Sequence, residues 1–327
     1  MEGRARILHN IREYFSTAGY LEVDTPLLAP ALIPESTIEA FRSDFVSPFI
    51  SDRDLYLLPS PELWMKRLIA EGAGNIFQIC HSFRNAESIG PQHSPEFTML
   101  EWYTMNATYQ ESMMRCENLV STLIDREVPH VDEEGRRRLR EMRPPFRRMS
   151  MNEAFNTLAG VDLEQCNERD ALFAAVQQLG LRPSKDDSWQ ELFNRIFVSR
   201  VEPEIAAGPP TILTDFPAKI ATLARPVPGT PWCERWELYL DGRETANCYT
   251  EDTDPVRVAA YFQDETREKA HALVPIRVAE DFPEMFDNGF PDCSGTALGV
   301  DRLIMALTGI RSIQGVIFFP IHDTLLA

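Results

Sequence analysis

The apolar positions Ile7, Ile11 and Phe15 recur every four residues, a spacing that predicts an amphipathic helix over residues 3–17. Gly19 ends it, and Tyr20-Leu21-Glu22-Val23 then reads as a strand stopped by Pro26. Residues 54–59 predict a second strand. Ser60-Pro61-Glu62 follows as a helix start, with serine suited to the N-cap and proline to the first turn. Strands over 75–83 and 96–104 flank the polar loop 84–95. Residues 110–125 and 151–200 are mostly helical by pattern. Strands follow at 211–216, 234–241 and 244–249, the last two turning at Asp241-Gly242. A helix over 254–272 precedes a small-residue strand at 295–300. A last helix begins at Arg302 and ends near Gly309. Strands in hairpins with helices between them predict an α+β fold around a mostly antiparallel sheet.

The chain has 327 residues, 44% of them hydrophobic, enough for a substantial core. No apolar run approaches the roughly 18 residues of a membrane helix. The start, Met1-Glu2-Gly3-Arg4-Ala5-Arg6, leads into the amphipathic helix and not into a signal sequence, so a cytoplasmic protein is expected. The six cysteines are scattered without a CxxC pair, which argues for reduced thiols and against a zinc site or disulfide framework. A net charge of −18 disfavours indiscriminate nucleic-acid binding. Against that background Arg136, Arg137, Arg138, Arg140, Arg143, Arg147 and Arg148 crowd one stretch broken by Pro144-Pro145. It reads either as a solvated connector or as a docking patch for an acidic macromolecule.

Two distant stretches carry the chemistry. One is Phe83-Arg84-Asn85-Ala86-Glu87 followed by His93-Ser94-Pro95-Glu96-Phe97-Thr98-Met99-Leu100-Glu101-Trp102-Tyr103. The other is Gly295-Thr296-Ala297-Leu298-Gly299-Val300-Asp301-Arg302. Together they resemble motifs 2 and 3 of the class II aminoacyl-tRNA synthetases in their lysyl version. The helix, strand and proline of about 4–28 are similar to motif 1, which builds the dimer interface in that family. The resemblance implies a mostly antiparallel sheet flanked by helices, in one catalytic domain over 1–327. Motif 2 would lie at about 75–104, a helical insertion at about 150–205 and motif 3 at about 293–309, with no anticodon-binding domain.

Amino-acid activation brings a carboxylate up to the α-phosphate of ATP, a meeting of negative groups that needs cations. The resemblance assigns the α-phosphate to Arg84, the γ-phosphate to Arg302 and adenine stacking to Phe97. It adds Asn85, Glu87, His93, Ser94, Glu244, Thr245 and Gly299 to the ATP contacts. Glu237 and Glu244, seven apart on consecutive strands, match the family's metal-binding pair; magnesium takes such hard oxygen ligands. A lysine-like substrate carries two ammonium groups, and burying each requires a negative partner. Glu62 in Ser60-Pro61-Glu62, Glu101, Glu251, Tyr103 and Asn247 stand where the lysyl family places its substrate residues. Ala297 replaces the usual glycine there, a methyl worth about 1–3 kcal/mol in discrimination. With Pro291-Asp292-Cys293-Ser294-Gly295 before it, this alanine is typical of the lysyl-tRNA synthetase paralogues that attach (R)-β-lysine to a lysine of elongation factor P.

The resemblance therefore implies ATP and Mg2+, a lysine or β-lysine substrate, elongation factor P as partner, a homodimer, and no use for tRNA. Three positions depart from the family pattern. Ala86 lengthens the motif 2 loop, Ser94 replaces an asparagine, and Cys248 stands where glycine is usual. Two alternatives stay open. One is a truncated lysyl-tRNA synthetase-like enzyme acting on tRNA or a small molecule; the other is a non-catalytic lysine-binding paralogue.

Overall fold

Alternation along the strands decides the architecture. The computed structural model describes residues 2–126, 132–321 and 323, so Met1 and residues 324–327, the extremes of the expected 1–327 domain, lie outside it. The chain opens with α1 (Glu2–Thr17), whose Ile7, Ile11 and Phe15 are buried. The short strands β1 (Leu21–Glu22) and β2 (Leu28–Ala29) lead to the hairpin of β3 (Phe41–Phe45) and β4 (Arg53–Leu57). Next come α2 (Glu62–Ala70), β5 (Ile76–Phe83), β6 (Glu96–Met105), α3 (Tyr109–Asp125), α4 (Glu133–Glu141) and β7 (Arg147–Ser150). The region expected to be mostly helical divides into α5 (Met151–Ala159), α6 (Arg169–Gln178), α7 (Trp189–Ile196) and α8 (Glu202–Ala207), with a π-helical turn at Phe197–Val201. The chain closes with β8 (Thr211–Pro217), β9 (Trp232–Leu240), β10 (Arg243–Thr250), α9 (Pro255–Lys269), β11 (Cys293–Gly299) and α10 (Val300–Thr308).

Eight strands form one sheet in the order β1-β5-β6-β11-β10-β9-β8-β7, and β2, β4 and β3 form a small second one. Only the edge pairs β1–β5 and β7–β8 of the large sheet are parallel. The expected α+β fold with a mostly antiparallel sheet is therefore present. Successive side chains of a strand face opposite sides, so the register sorts whole transverse rows. Phe77, Trp102, Thr296, Cys248 and Trp236 are paired in line across five strands. This row is buried, and its apolar members belong to the core that α1, α3 and α10 cover. The next row, Gln78–Glu101–Ala297–Asn247–Glu237, faces the other way.

Several local expectations are corrected. Helix α2 is N-capped at Pro61, one residue later than the Ser60 expected, without a side-chain cap. Helix α10 starts at Val300 and not at Arg302. The arginine-rich stretch is not a connector: it folds as α4 and the edge strand β7. Asp132 caps α4 by accepting from the Gly135 amide, Arg143 and Arg148 pair with Asp125 and Glu117, and Arg138 reaches the Leu307 carbonyl. Arg136 and Arg140 pair locally with Glu133 and Arg137 with Glu141, whereas Arg138, Arg143 and Arg148 find acids elsewhere in the sequence. Among the described residues no helix is long and apolar enough to cross a membrane.

Candidate active site

A cavity of about 570 Å³ opens over the polar row, lined by Glu101, Ala297, Asn247 and Glu237 among others. A β-bulge in β10 completes that row. Glu244 pairs with Tyr239 and Asn247 with Glu237, the register shifting between Glu244 and Ala246. Residues three apart would otherwise face opposite sides; the bulge turns both Glu244 and Asn247 toward the cavity. Asn247 is then fixed by Arg235, whose Nε donates to Asn247 Oδ1 at 3.1 Å and whose Nη2 lies 2.7 Å from Glu237 Oε1.

One end of the cavity is built of buried carboxylates. Glu101, 3% exposed, accepts from the Tyr103 hydroxyl at 2.9 Å. Burial, and then the charge of Glu62, push its carboxyl well above the ordinary range. The ammonium of Lys66, with no solvent exposure, lies 2.6 Å from Glu62 Oε1 and 2.7 Å from Glu251 Oε2. The Tyr249 hydroxyl donates to the same Glu62 oxygen at 2.9 Å. Burial pushes Glu251 up to about 7 even with Lys66 opposing the shift. Gly295 allows this packing, because a Cβ there would lie 2.7 Å from Tyr103 Cε1 and 2.8 Å from Glu251 Oε1.

The other end is cationic and comes from loops and a helix terminus. Arg84 follows β5, with its guanidinium 5.4 Å from the Phe97 ring centroid and its buried Nε without a partner. Arg302, in the first turn of α10, donates from Nη1 to the Glu244 carbonyl at 2.8 Å. Glu87, His93, Ser94, Thr245 and Gly299 line the cavity here. His93 is lowered by burial and then by the neighbouring Arg302. A Cβ on Gly299 would meet nothing nearer than 3.8 Å, so its openness serves the cavity and not internal packing. Asp301 locks three distant segments together. It lies 2.5 Å from Arg4 of α1 and accepts from the Thr98 amide of β6 at 2.7 Å.

Glu237 and Glu244 meet on one face. Burial, then the neighbouring Glu244, raise Glu237 to about 7, with Arg235 opposing the shift. Among the described residues no cluster of three or more metal-ligating side chains exists. Two carboxylates suit Mg2+, which keeps other positions for water and phosphate oxygens.

Three expected site residues stand back from the cavity lining. Asn85 spends its amide on the Ala40 carbonyl at 3.2 Å and on its own loop, Pro61 is buried at the start of α2, and Glu251 lies behind, against Lys66. The inserted Ala86 takes φ of 56°, the left-handed region, so the extra residue is absorbed within the turn. Cys248 is 1% exposed in the core row, on the sheet face opposite the cavity, so its sulfur does not reshape the pocket.

Comparison with known proteins matches residues 1–323 to a family described as class II tRNA synthetases (D, K and N). The chain belongs to the class II tRNA synthetase family. Within it, the chain is 34% identical to a lysine–tRNA ligase of Pelotomaculum thermopropionicum over 98% of its own length but 63% of the relative's. It is 35% identical to an elongation factor P–(R)-β-lysine ligase of Proteus mirabilis, covering 98% of this chain and 94% of that one. A ligase of the same name from Avibacterium paragallinarum gives 34% with the same two coverages.

Four residues at this candidate site were missed in the sequence: Tyr249, Arg235 and Glu35, which line the cavity, and Lys66, which pairs with Glu62 and Glu251. Lys66 sits four residues after Glu62, and that i,i+4 spacing on a predicted helix was the available signal. The others are brought in by sheet register and by a loop, for which no local pattern exists.

Proposed function

We propose that the protein activates a lysine-type diamino acid, (R)-β-lysine or lysine, as its adenylate and transfers the acyl group to a lysine side chain of elongation factor P. The observation that carries this reading is the polar row itself, which joins a carboxylate-rich end able to receive ammonium groups to an end holding two arginines. The similarity to ligases named for elongation factor P, at 34–35% identity over 94% of their length, supports the protein acceptor. The exposed Leu21 and Leu28, at 59% and 41%, give the motif 1 strands an apolar surface consistent with a homodimer.

In the first step the substrate carboxylate attacks the α-phosphorus of ATP and pyrophosphate leaves. Arg84 and Arg302 face that end and would stabilise the developing phosphoryl charge, a role for which the planar guanidinium fork is suited. Glu237 and Glu244 would hold Mg2+, which supplies further neutralisation of the phosphates. In the second step the acceptor amine attacks the adenylate carbonyl, forming an amide and releasing AMP. The adenylate is already activated, so no covalent enzyme intermediate is required; positioning supplies much of the rate.

The test is the intact mass of elongation factor P after incubation with enzyme, ATP, magnesium and either isomer. A gain of one lysyl unit, lost with Arg302→Ala, is expected. No gain with either isomer, alongside acylation of tRNA, would reject the acceptor.

A further inference from the structure

We propose that Glu35 is the specificity-determining carboxylate that receives the ammonium group nearest the reacting carboxyl and thereby selects between diamino-acid isomers. The inference rests on the amino-acid activation proposed above and extends it to a residue outside the recognised motifs.

Glu35 lies in the loop between β2 and β3 and lines the cavity. That loop is fixed from two sides. From α9, the Tyr261 hydroxyl donates to the Pro34 carbonyl at 3.3 Å, Glu265 Oε2 accepts from the Ser36 amide at 2.6 Å, and the ammonium of Lys269 donates to the Ile38 carbonyl. From the motif 2 loop, the Asn85 amide donates to the Glu39 carbonyl at 2.8 Å. Glu39 in turn accepts from the amides of Leu273 and Val274. The backbone of Glu35 is thus held in place while its carboxylate has no hydrogen bond or ion pair among the described residues.

Among the other carboxylates at this end, Glu62 and Glu251 already hold a cation. They share Lys66, while Glu101 takes the Tyr103 hydroxyl and Glu265 takes the Ser36 amide. Glu35 is raised to about 7 by burial first, then by Glu62, with Arg84 opposing the shift and Glu265 and Lys269 adding smaller contributions. Glu35, Glu62 and Arg84 line the same cavity, and the Glu35 loop is tied at Glu39 to Asn85, the neighbour of Arg84, which puts it at the junction of the carboxylate-rich and cationic ends. The reacting carboxyl has to reach the cationic end. With the carboxyl there and the far ammonium at Glu101, whose partner is the neutral Tyr103 hydroxyl, the near ammonium falls at the junction. Lysine and β-lysine differ at this position by one carbon, a displacement of about 1.5 Å. A fixed, uncompensated carboxylate registers such a shift, because a charged hydrogen bond weakens steeply with misplacement.

The test is diamino-acid-dependent ATP–pyrophosphate exchange with β-lysine and lysine separately, for the wild type, Glu35→Gln and Glu35→Asp. Glu35→Gln is expected to raise the KM of the preferred isomer about 10–100-fold, shift the isomer ratio in kcat/KM by about tenfold, and leave the ATP KM within about twofold. Glu35→Asp, which keeps the charge, is expected to recover part of the loss. An unchanged diamino-acid KM, or equal weakening of both isomers, overturns the inference while the proposed activation stands. A wild type that exchanges with neither isomer refutes the activation itself, and the inference with it. Matching thermal unfolding of the variants and the wild type separates both results from misfolding.

Discussion

The two ends of the cavity solve opposite electrostatic problems by opposite means. The carboxylate-rich end is assembled from sheet rows and α2, and much of its charge is compensated internally by Lys66 and the hydroxyls of Tyr103 and Tyr249. The cationic end rests on a loop and a helix start, and Arg84 keeps a buried Nε unpartnered. Uncompensated carboxylates packed together in a dry interior would repel and protonate, so they need a resident counter-ion. A guanidinium is more weakly hydrated than an ammonium and stays charged, so Arg302 rests on the Glu244 carbonyl while Arg84 keeps donor capacity for a ligand. Stability is therefore concentrated at one end and ligand-dependent charge at the other.

The sharpest way to break that contrast is Lys66→Met. Removing the cation leaves Glu62 and Glu251 without it, and a loss of about 3–5 kcal/mol is expected in urea unfolding. The deficit should depend on pH. The Glu251 carboxyl, ordinarily near 4.5, is raised to about 7 in the native state, and removing Lys66 raises it further. A native state that binds more protons than the unfolded one loses stability as pH rises. The variant should therefore fall further behind the wild type above about pH 7 and close the gap below it. A deficit that does not vary across that window would show that Lys66 acts by packing alone.

At the cationic end the same kind of removal should behave differently. Arg84→Ala and Arg302→Ala are each expected to slow adenylate formation about 10²–10³-fold in pyrophosphate exchange. Their unfolding midpoints should stay close to the wild type. A large stability loss instead would place these arginines in the scaffold and erase the distinction between the ends.

Two glycines sharpen the comparison with a smaller effect. Gly295→Ala drives a methyl into Tyr103 and Glu251 and is expected to cost about 1–3 kcal/mol in thermal or urea unfolding. Gly299→Ala meets no atom nearer than 3.8 Å. It should raise the ATP KM and leave stability within about 1 kcal/mol. Equal stability losses would contradict the difference in packing.

Much of the fold was legible because its signals are local. The four-residue recurrence of Ile7, Ile11 and Phe15 marked α1, and the Asp241-Gly242 turn marked the β9–β10 hairpin. The strand β3, half of an exposed hairpin in the small sheet, lacks a buried alternating face and was not seen. Helix α4 was hidden because it buries Leu139 alone, so no apolar periodicity marks it. In the site, Glu62, Glu101 and Arg302 were visible through their motifs. Glu35 and Tyr249 were not, because an acid in a loop and a tyrosine in a strand carry no distinguishing pattern until a cavity faces them.

The sequence by itself determined the family, the order of elements and the kinds of charge the site must hold, since these follow from residue type and short-range spacing. Tertiary structure alone decided which distant charges compensate one another. Strand register aligned Glu101, Ala297, Asn247 and Glu237 in one row, and the bulge after Glu244 turned that carboxylate to the same face. The pairing of Lys66 with Glu62 follows from their i,i+4 spacing, but its second partner, Glu251, came from laying α2 against a residue far along the chain. Coulomb interactions depend on distance in space, and distance in space is what a linear pattern does not contain.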